Sequence, residues 1–239
     1  MAGNTAIVLA AGSGKRMNSV VAKQYLMLKD KPVIWYALQA FEQSDIIDAV
    51  VLVVGAGEVE HCRKHIVREY GFTKVIAVIE GGAERYLSVW EALKWLREKE
   101  PFKGEEYIFI HDGARPFVSE SIIADTYEVA KVYEACVAGM PVKDTIKIAD
   151  EEGFAVETPN RKTVWAVQTP QVFVRKLITT AYEELVNRLD ELKAQGLEIT
   201  DDAMVVETLV GKKVKLVKAS YENMKITTPE DMKIAESLI

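Results

Sequence analysis

The sequence predicts an α/β fold built on a mostly parallel open sheet with helices on both faces. Short runs of consecutive apolar residues alternate with stretches whose apolar residues recur at helical spacing. That is the pattern of strands buried on both faces and joined by crossover helices. Glycine-rich turns follow directly on several of the apolar runs, as at Gly12-Ser13-Gly14 and Gly81-Gly82, and mark strands that open into loops. One segment, at about 142–168, breaks the rhythm and predicts a hairpin arm projecting from the sheet.

Each element follows in turn. Thr5 to Leu9 is a buried strand running into the first glycine loop. Pro32 to Phe41 carries Val33, Tyr36, Ala37, Ala40 and Phe41 at helical spacing, with proline near the helix start. Ala49 to Val54 is a strand ending at Gly55, and Glu58 to Tyr70 a helix stopped by Gly71. Lys74 to Ile79 is a strand, and a helix runs from Arg85 to Lys99 with Val89, Leu93 and Leu96 on one face. Tyr107 to Ile110 is a strand that leads into a loop, His111-Asp112-Gly113-Ala114-Arg115-Pro116. Ser121 to Tyr133 is helical and Ala135 to Met140 a strand. Thr145 to Ala149 and Ala155 to Thr158 read as two short strands around the turn Asp150-Glu151-Glu152-Gly153. Their apolar faces are small, so the hairpin needs another surface to lie on. A long helix is expected from Val174 to Ala194, a cap at Thr200-Asp201-Asp202, a strand from Val214 to Lys218, and a closing helix from Pro229 to Leu238. The alternation makes a Rossmann-like single domain spanning 1–239.

Composition narrows the function. The formal net charge of -6 argues against broad nucleic-acid binding, which needs a basic face, and leaves room for a local basic pocket. The two cysteines, Cys62 and Cys136, have no metal-ligand spacing and read as reduced thiols of a cytoplasmic protein. The apolar run from Ala6 to Ala11 is far too short to span a bilayer, so no membrane partner is expected.

In an open parallel sheet, ligands bind beyond the carboxyl ends of the strands. Three loops there hold chemistry-bearing residues. The first is Leu9-Ala10-Ala11-Gly12-Ser13-Gly14-Lys15-Arg16-Met17, where small residues let backbone N–H groups approach a phosphate and two cations add charge. It is not a Walker loop, because Arg16 follows Lys15 and Leu9 holds the upstream glycine position. Nor is it a dinucleotide fingerprint, because Met17 stands where the third glycine belongs. A plain tight turn is the alternative. The second loop holds Asp112, which suits a magnesium ion or a ribose hydroxyl, or else caps its turn with Arg115 as partner. His111 reads as structural. The third is Gly81-Gly82-Ala83-Glu84-Arg85 with Ser88 one turn on, which also reads as an ordinary helix start. Lys23 and Lys225 are further candidates that compete with a reading as solvated surface lysines.

Taken together and in order, these segments resemble one family, 2-C-methyl-D-erythritol 4-phosphate cytidylyltransferase of the non-mevalonate isoprenoid pathway. The resemblance is carried by the opening loop through Arg16-Met17 with Lys23-Gln24-Tyr25-Leu26, and by His111-Asp112-Gly113-Ala114-Arg115-Pro116. Pro141-Val142-Lys143-Asp144-Thr145 and Thr158-Pro159-Asn160-Arg161 extend it, as does Trp165-Ala166-Val167-Gln168-Thr169-Pro170-Gln171. Thr200-Asp201-Asp202 and Lys225-Ile226-Thr227-Thr228-Pro229-Glu230-Asp231 complete it. Ala22 departs from the family's usual proline, which removes a constraint on φ, and Gly113 stands where alanine is common.

The resemblance implies an enzyme that moves CMP from CTP onto the phosphate of 2-C-methyl-D-erythritol 4-phosphate, with magnesium as cofactor. Arg16, Lys23, Arg161 and Lys225 would be its catalytic cations. Ala10, Ala11, Gly12, Gly14, Gly82 and Ser88 would line the nucleotide pocket. Asp112 would sit by metal and ribose, with Gly113 beside it. Arg115, Thr145, Thr169 and Thr200 would contact substrate, with Thr145, Arg161 and Lys225 on the acceptor phosphate. The arm would make the protein a homodimer, placing Thr145 and Arg161 in the other subunit's site. Rival readings are a ribitol 5-phosphate cytidylyltransferase, a sugar-nucleotide transferase using UTP or GTP, and a non-catalytic nucleotide-binding regulator on the same fold. The stretch Val164-Trp165-Ala166-Val167-Gln168 favours the erythritol enzyme over the ribitol one, and intact Arg16, Lys23, Asp112 and Lys225 speak against a regulator.

Overall fold

Side-chain alternation along the first strand sets the layers of the molecule. In the computed structural model, which describes residues 3–12, 22–102 and 106–239, strand β1 (Thr5–Ala10) sends Ala6, Val8 and Ala10 into one core and Ile7 into the other, the two-residue period of a pleated strand. Strand β2 (Met27–Leu28) pairs with β3 (Lys31–Pro32) beside the sheet, and helix α1 (Val33–Gln43) starts directly after Pro32. Strand β4 (Ala49–Val54) leads to α2 (Val59–Cys62), which runs on as a π-helical turn over Arg63–Arg68, and then to β5 (Val75–Glu80) and α3 (Arg85–Lys99). Strand β6 (Tyr107–Asp112), helix α4 (Glu120–Tyr133) and strand β7 (Ala135–Pro141) follow.

The expected hairpin strands are short: β8 (Ile148–Ala149) pairs antiparallel with β9 (Ala155–Glu157). Strand β10 (Trp165–Val174), helices α5 (Arg175–Asn187), α6 (Leu189–Ala194) and α7 (Asp202–Val210), strand β11 (Lys215–Lys218) and helix α8 (Pro229–Ser237) complete the chain. Among the described residues the main sheet has seven strands in the order β11-β7-β10-β6-β1-β4-β5. Only β10 runs against the rest of them. Helices α1, α2 and α4 cover one face and α3, α5 and α7 the other, so the expected open sheet with helices on both faces is what the chain forms.

Three expectations need correction. Strand β10 is absent from the sequence reading because Pro170 and three polar residues, Gln168, Thr169 and Gln171, interrupt its apolar run. The strand absorbs them with a register shift on β7 between Val167 and Gln171. The single helix expected from Val174 to Ala194 is two, because Arg188 leaves helical geometry (φ -111°, ψ 9°). The turn there lets Leu189 and Leu192 reach the core. His111 and Asp112, expected in a loop, are the last residues of β6 and are buried.

Candidate active site

The chain order β1, β4, β5 steps outward on one side of β1, and β6 returns to its other side. This puts a topological switch point at the carboxyl ends of β1 and β6, where open α/β sheets bind ligands. The Gly113 N–H donates to the Leu9 carbonyl at 2.8 Å, and Gly81 N–H to that of Val54 at 2.8 Å. These bonds draw the loops together over the sheet edge. Glycine is required in the third loop. A Cβ on Gly81 would lie 2.6 Å from Ser88 Oγ, and one on Gly82 would lie 2.4 Å from Leu87 Cβ.

A cleft of about 470 Å³ opens there. Its lining includes Ala10, Ala11, Gly12, Lys23, Gly82, Ser88, Asp112 and Lys225, all anticipated from the sequence. A second cavity of about 300 Å³ adjoins it, with Arg115, Thr169 and Thr200 in its wall. Asp112 and Lys225 face both. Gly113 is buried behind the cleft and acts through its backbone bond to β1. Arg16 and Gly14 lie outside the described residues. Thr145 and Arg161 line neither cavity of their own chain. They stand exposed on the 142–168 segment, where Arg161 Nη1 donates to the Lys143 carbonyl at 2.9 Å.

Lys23 rides on a short 3₁₀ turn, Lys23–Tyr25, that is fixed from both sides. Gln24 Nε2 donates to the Ala10 carbonyl at 2.6 Å, and the Tyr25 hydroxyl donates to Glu58 Oε2 at 2.9 Å. Ala22, just before it, has φ -61°. That is the value proline would impose, so the backbone takes a proline's φ here without the ring.

Asp112 is the electrostatic centre. Arg85 Nε donates to Oδ1 at 3.3 Å, Lys225 Nζ lies 2.8 Å from Oδ2, and Arg115 Nε lies 3.7 Å from Oδ2. Burial would push this carboxyl up, but Arg85, then Lys225 and Arg115, outweigh it and hold the group well below the usual carboxylate range. Arg85 is in turn clamped by Asp202, and burial, which would lower its pKa, is outweighed by that carboxylate.

His111 is structural, as read from the sequence. Its Nε2 donates to the Arg115 carbonyl at 3.1 Å, so Nδ1 accepts from the Thr169 hydroxyl at 3.0 Å, and that oxygen accepts the Asp112 N–H at 3.1 Å. Burial lowers the imidazole pKa to about 4. Thr169 therefore braces the end of β6 from within β10. Asn223, wholly buried, ties the same strand to the Lys225 loop through Gln168 and the Thr169 carbonyl.

Residues 4–239 match the family described as 2-C-methyl-D-erythritol 4-phosphate cytidylyltransferase, IspD. The chain belongs to this family. A curated relative of that name from Lachnospira eligens is 49% identical over 232 residues, covering 97% of each chain. Another from Lachnoclostridium phytofermentans is 44% identical over 235 residues, covering 98% of this chain and 95% of its own. Among solved structures, the 4-diphosphocytidyl-2C-methyl-D-erythritol synthase of Anaerococcus prevotii superposes with a TM-score of 0.79 at 32% identity, covering 99% of this chain and 96% of its own. The Francisella tularensis IspD superposes at 0.81 with 26% identity over the whole of both chains.

Arg85 and Gln24 line the cleft, and the sequence assigns neither a role. The only signal for Arg85 is its place one residue after Glu84 in the third loop, which looks like an ordinary helix start. Gln24 has only its place beside Lys23 in the opening motif to mark it. Among the described residues there is no group of three or more His, Cys, Asp or Glu side chains arranged to hold a metal. No described helix is long and apolar enough to cross a membrane.

Proposed function

We propose that the larger cleft binds CTP and that the adjoining cavity receives 2-C-methyl-D-erythritol 4-phosphate. The enzyme then transfers CMP to give 4-(cytidine 5'-diphospho)-2-C-methyl-D-erythritol and pyrophosphate, an isoprenoid precursor step. The observation that carries this reading is the convergence of Lys23, Asp112 and Lys225 with the small residues Ala10, Ala11, Gly12 and Gly82 on one cleft at the switch point.

The acceptor phosphate is already an anionic nucleophile, so no deprotonating base is needed. One of its oxygens attacks the α-phosphorus of CTP in line, the bond from that phosphorus to the bridging oxygen breaks, and pyrophosphate leaves with the electron pair. The barrier lies in bringing two anions together and in the charge that gathers on the leaving group. Catalysis is then positioning plus cationic stabilisation. In this reading Arg16 and Lys23 neutralise the triphosphate, backbone N–H groups of the opening loop cradle it, and Gly82 and Ser88 bound the cytosine. Lys225 grips the acceptor phosphate, joined by Thr145 and Arg161 of a second subunit.

Magnesium is part of the proposal, and the residues bear on how it is held. Asp112 is already engaged by three cations, so it fits poorly as a direct metal ligand. We place the metal on the triphosphate, whose oxygens and water supply ligands of the kind magnesium prefers. Bound there, it would withdraw charge from the phosphates.

The homodimer rests on the arm. Ile148, Phe154 and Val156 are exposed on a hairpin too small to stand alone. Exchange across a two-fold axis would cover them and deliver Arg161 to a partner's site. The free, buried thiols of Cys62 and Cys136 suit a cytoplasmic protein. A panel tests the function: each NTP against 2-C-methyl-D-erythritol 4-phosphate and ribitol 5-phosphate, following pyrophosphate. CTP with the erythritol phosphate should be consumed fastest, and only with a divalent cation. Faster turnover of ribitol 5-phosphate would reassign the acceptor.

A further inference from the structure

Arg85, Asp112 and Lys225 line both cavities, and so stand where nucleotide and acceptor meet. Lys225 Nζ lies 2.8 Å from Asp112 Oδ2. An ammonium held by a lone, poorly solvated carboxylate has little attraction left for a phosphate. Asp112 is not alone: Arg115 Nε lies 3.7 Å from Oδ2, and Arg85 Nε, the stronger partner, donates to the other oxygen at 3.3 Å. Arg85 is itself fixed in place. Its Nη1 and Nη2 donate to the two oxygens of Asp202 at 2.9 and 2.7 Å. Asp202 is wholly buried and also accepts the hydroxyl of buried Tyr182 at 2.5 Å. A paired grip of this kind sets the plane of the guanidinium. With both terminal nitrogens held by Asp202, the remaining Nε is aimed at Asp112.

We propose that Arg85 is a positioning residue for the transfer: pinned by Asp202 and Tyr182, it takes up part of the Asp112 charge and leaves Lys225 free to bind the acceptor phosphate. This rests on the assignment of Lys225 to that phosphate. Without Arg85, Asp112 would hold Lys225 more tightly and the acceptor would bind less well, while CTP, whose triphosphate is assigned to Arg16, Lys23 and the opening loop, would be affected less.

The test is steady-state kinetics on the full chain with CTP and 2-C-methyl-D-erythritol 4-phosphate varied separately. Lys225→Ala is run alongside, and a raised acceptor KM there upholds the underlying assignment whatever Arg85 does. An unchanged KM would overturn that assignment, and the proposal with it. Arg85→Gln should raise the acceptor KM about tenfold, the scale of one charge-assisted hydrogen bond, with the CTP KM within about threefold of wild type. Asp202→Asn should show the same split, and the double variant should be no worse than Arg85→Gln, since Asp202 acts through Arg85. Arg85→Lys keeps a cation beside Asp112 and serves if the glutamine variant does not fold. Its acceptor KM should rise by less than tenfold, again with CTP spared. Equal rises in both KM values, unchanged KM values, or fully additive losses in the double variant would overturn the proposal.

Discussion

Asp112 shows how a single side chain at a strand end organises a site. Its carboxylate gathers Arg85, Lys225 and Arg115, cations from three separate segments that would otherwise repel one another. In the proposed reading Lys23 and Arg16 have the more direct task. Lys23→Ala, and Arg16→Ala in the opening loop, should each lower turnover at saturating CTP by at least about 100-fold, the scale of losing one transition-state donor. Near-normal turnover in both would refute their role. His111 makes a different prediction. Burial lowers its pKa from 6.5 to about 4 in the folded chain. Between those values the unfolded chain binds a proton that the folded chain does not. The stability from neutral His111 is therefore fully present above about pH 6.5 and is lost as pH falls toward 4, by about 3 kcal/mol. Urea midpoints measured from pH 7.5 to 4.5 should fall more steeply in the wild type than in His111→Gln. Parallel slopes would show that His111 does not titrate as described.

At the scale of elements, the strands and helices on either side of the sheet were legible because their apolar periods are clean. Helix α3, Arg85–Lys99, has the bounds the spacing predicts. Strand β10 was not legible, and the reason is functional. Gln168, Thr169 and Gln171 break its apolar run, yet each is spent on bracing the site. Thr169 supports β6, Gln168 meets Ser220 and Asn223, and Gln171 meets Asp201 and the Ala203 N–H. Polar residues that must be buried to position other groups look like loop residues in a linear sequence. The residues proposed to meet ligand are readable from their motifs, whereas Arg85 and Gln24, which bond to Asp112 and to the Ala10 carbonyl, are not. Gln24 tests this at its own scale. Gln24→Ala leaves the Ala10 carbonyl without its side-chain donor and loosens the turn carrying Lys23. Turnover should fall at least about 10-fold, with a loss of stability of about 1–3 kcal/mol. Unchanged turnover in a folded Gln24→Ala protein would show that the turn is held by other contacts.

At the scale of the molecule, the account requires two chains for each complete site. The arm presents Arg161 away from its own cavities and leaves Phe154 68% exposed, a geometry that makes sense when a second copy receives it. Mixing an inactive Arg161→Ala protein with an inactive Arg16→Ala protein should restore activity once subunits exchange, because each heterodimer would hold one site carrying neither change. Verified heterodimers without activity would refute shared sites. The central claim is chemical: the cleft joins the α-phosphorus of CTP to the phosphate of the acceptor. It is tested most directly by ³¹P NMR of the purified protein with CTP, 2-C-methyl-D-erythritol 4-phosphate and magnesium. The account predicts that the acceptor's phosphate signal is replaced by the paired signals of a cytidine diphosphate diester, with pyrophosphate appearing in equal amount. Intact CTP after prolonged incubation, or release of free CMP with the acceptor's signal unchanged, would contradict it.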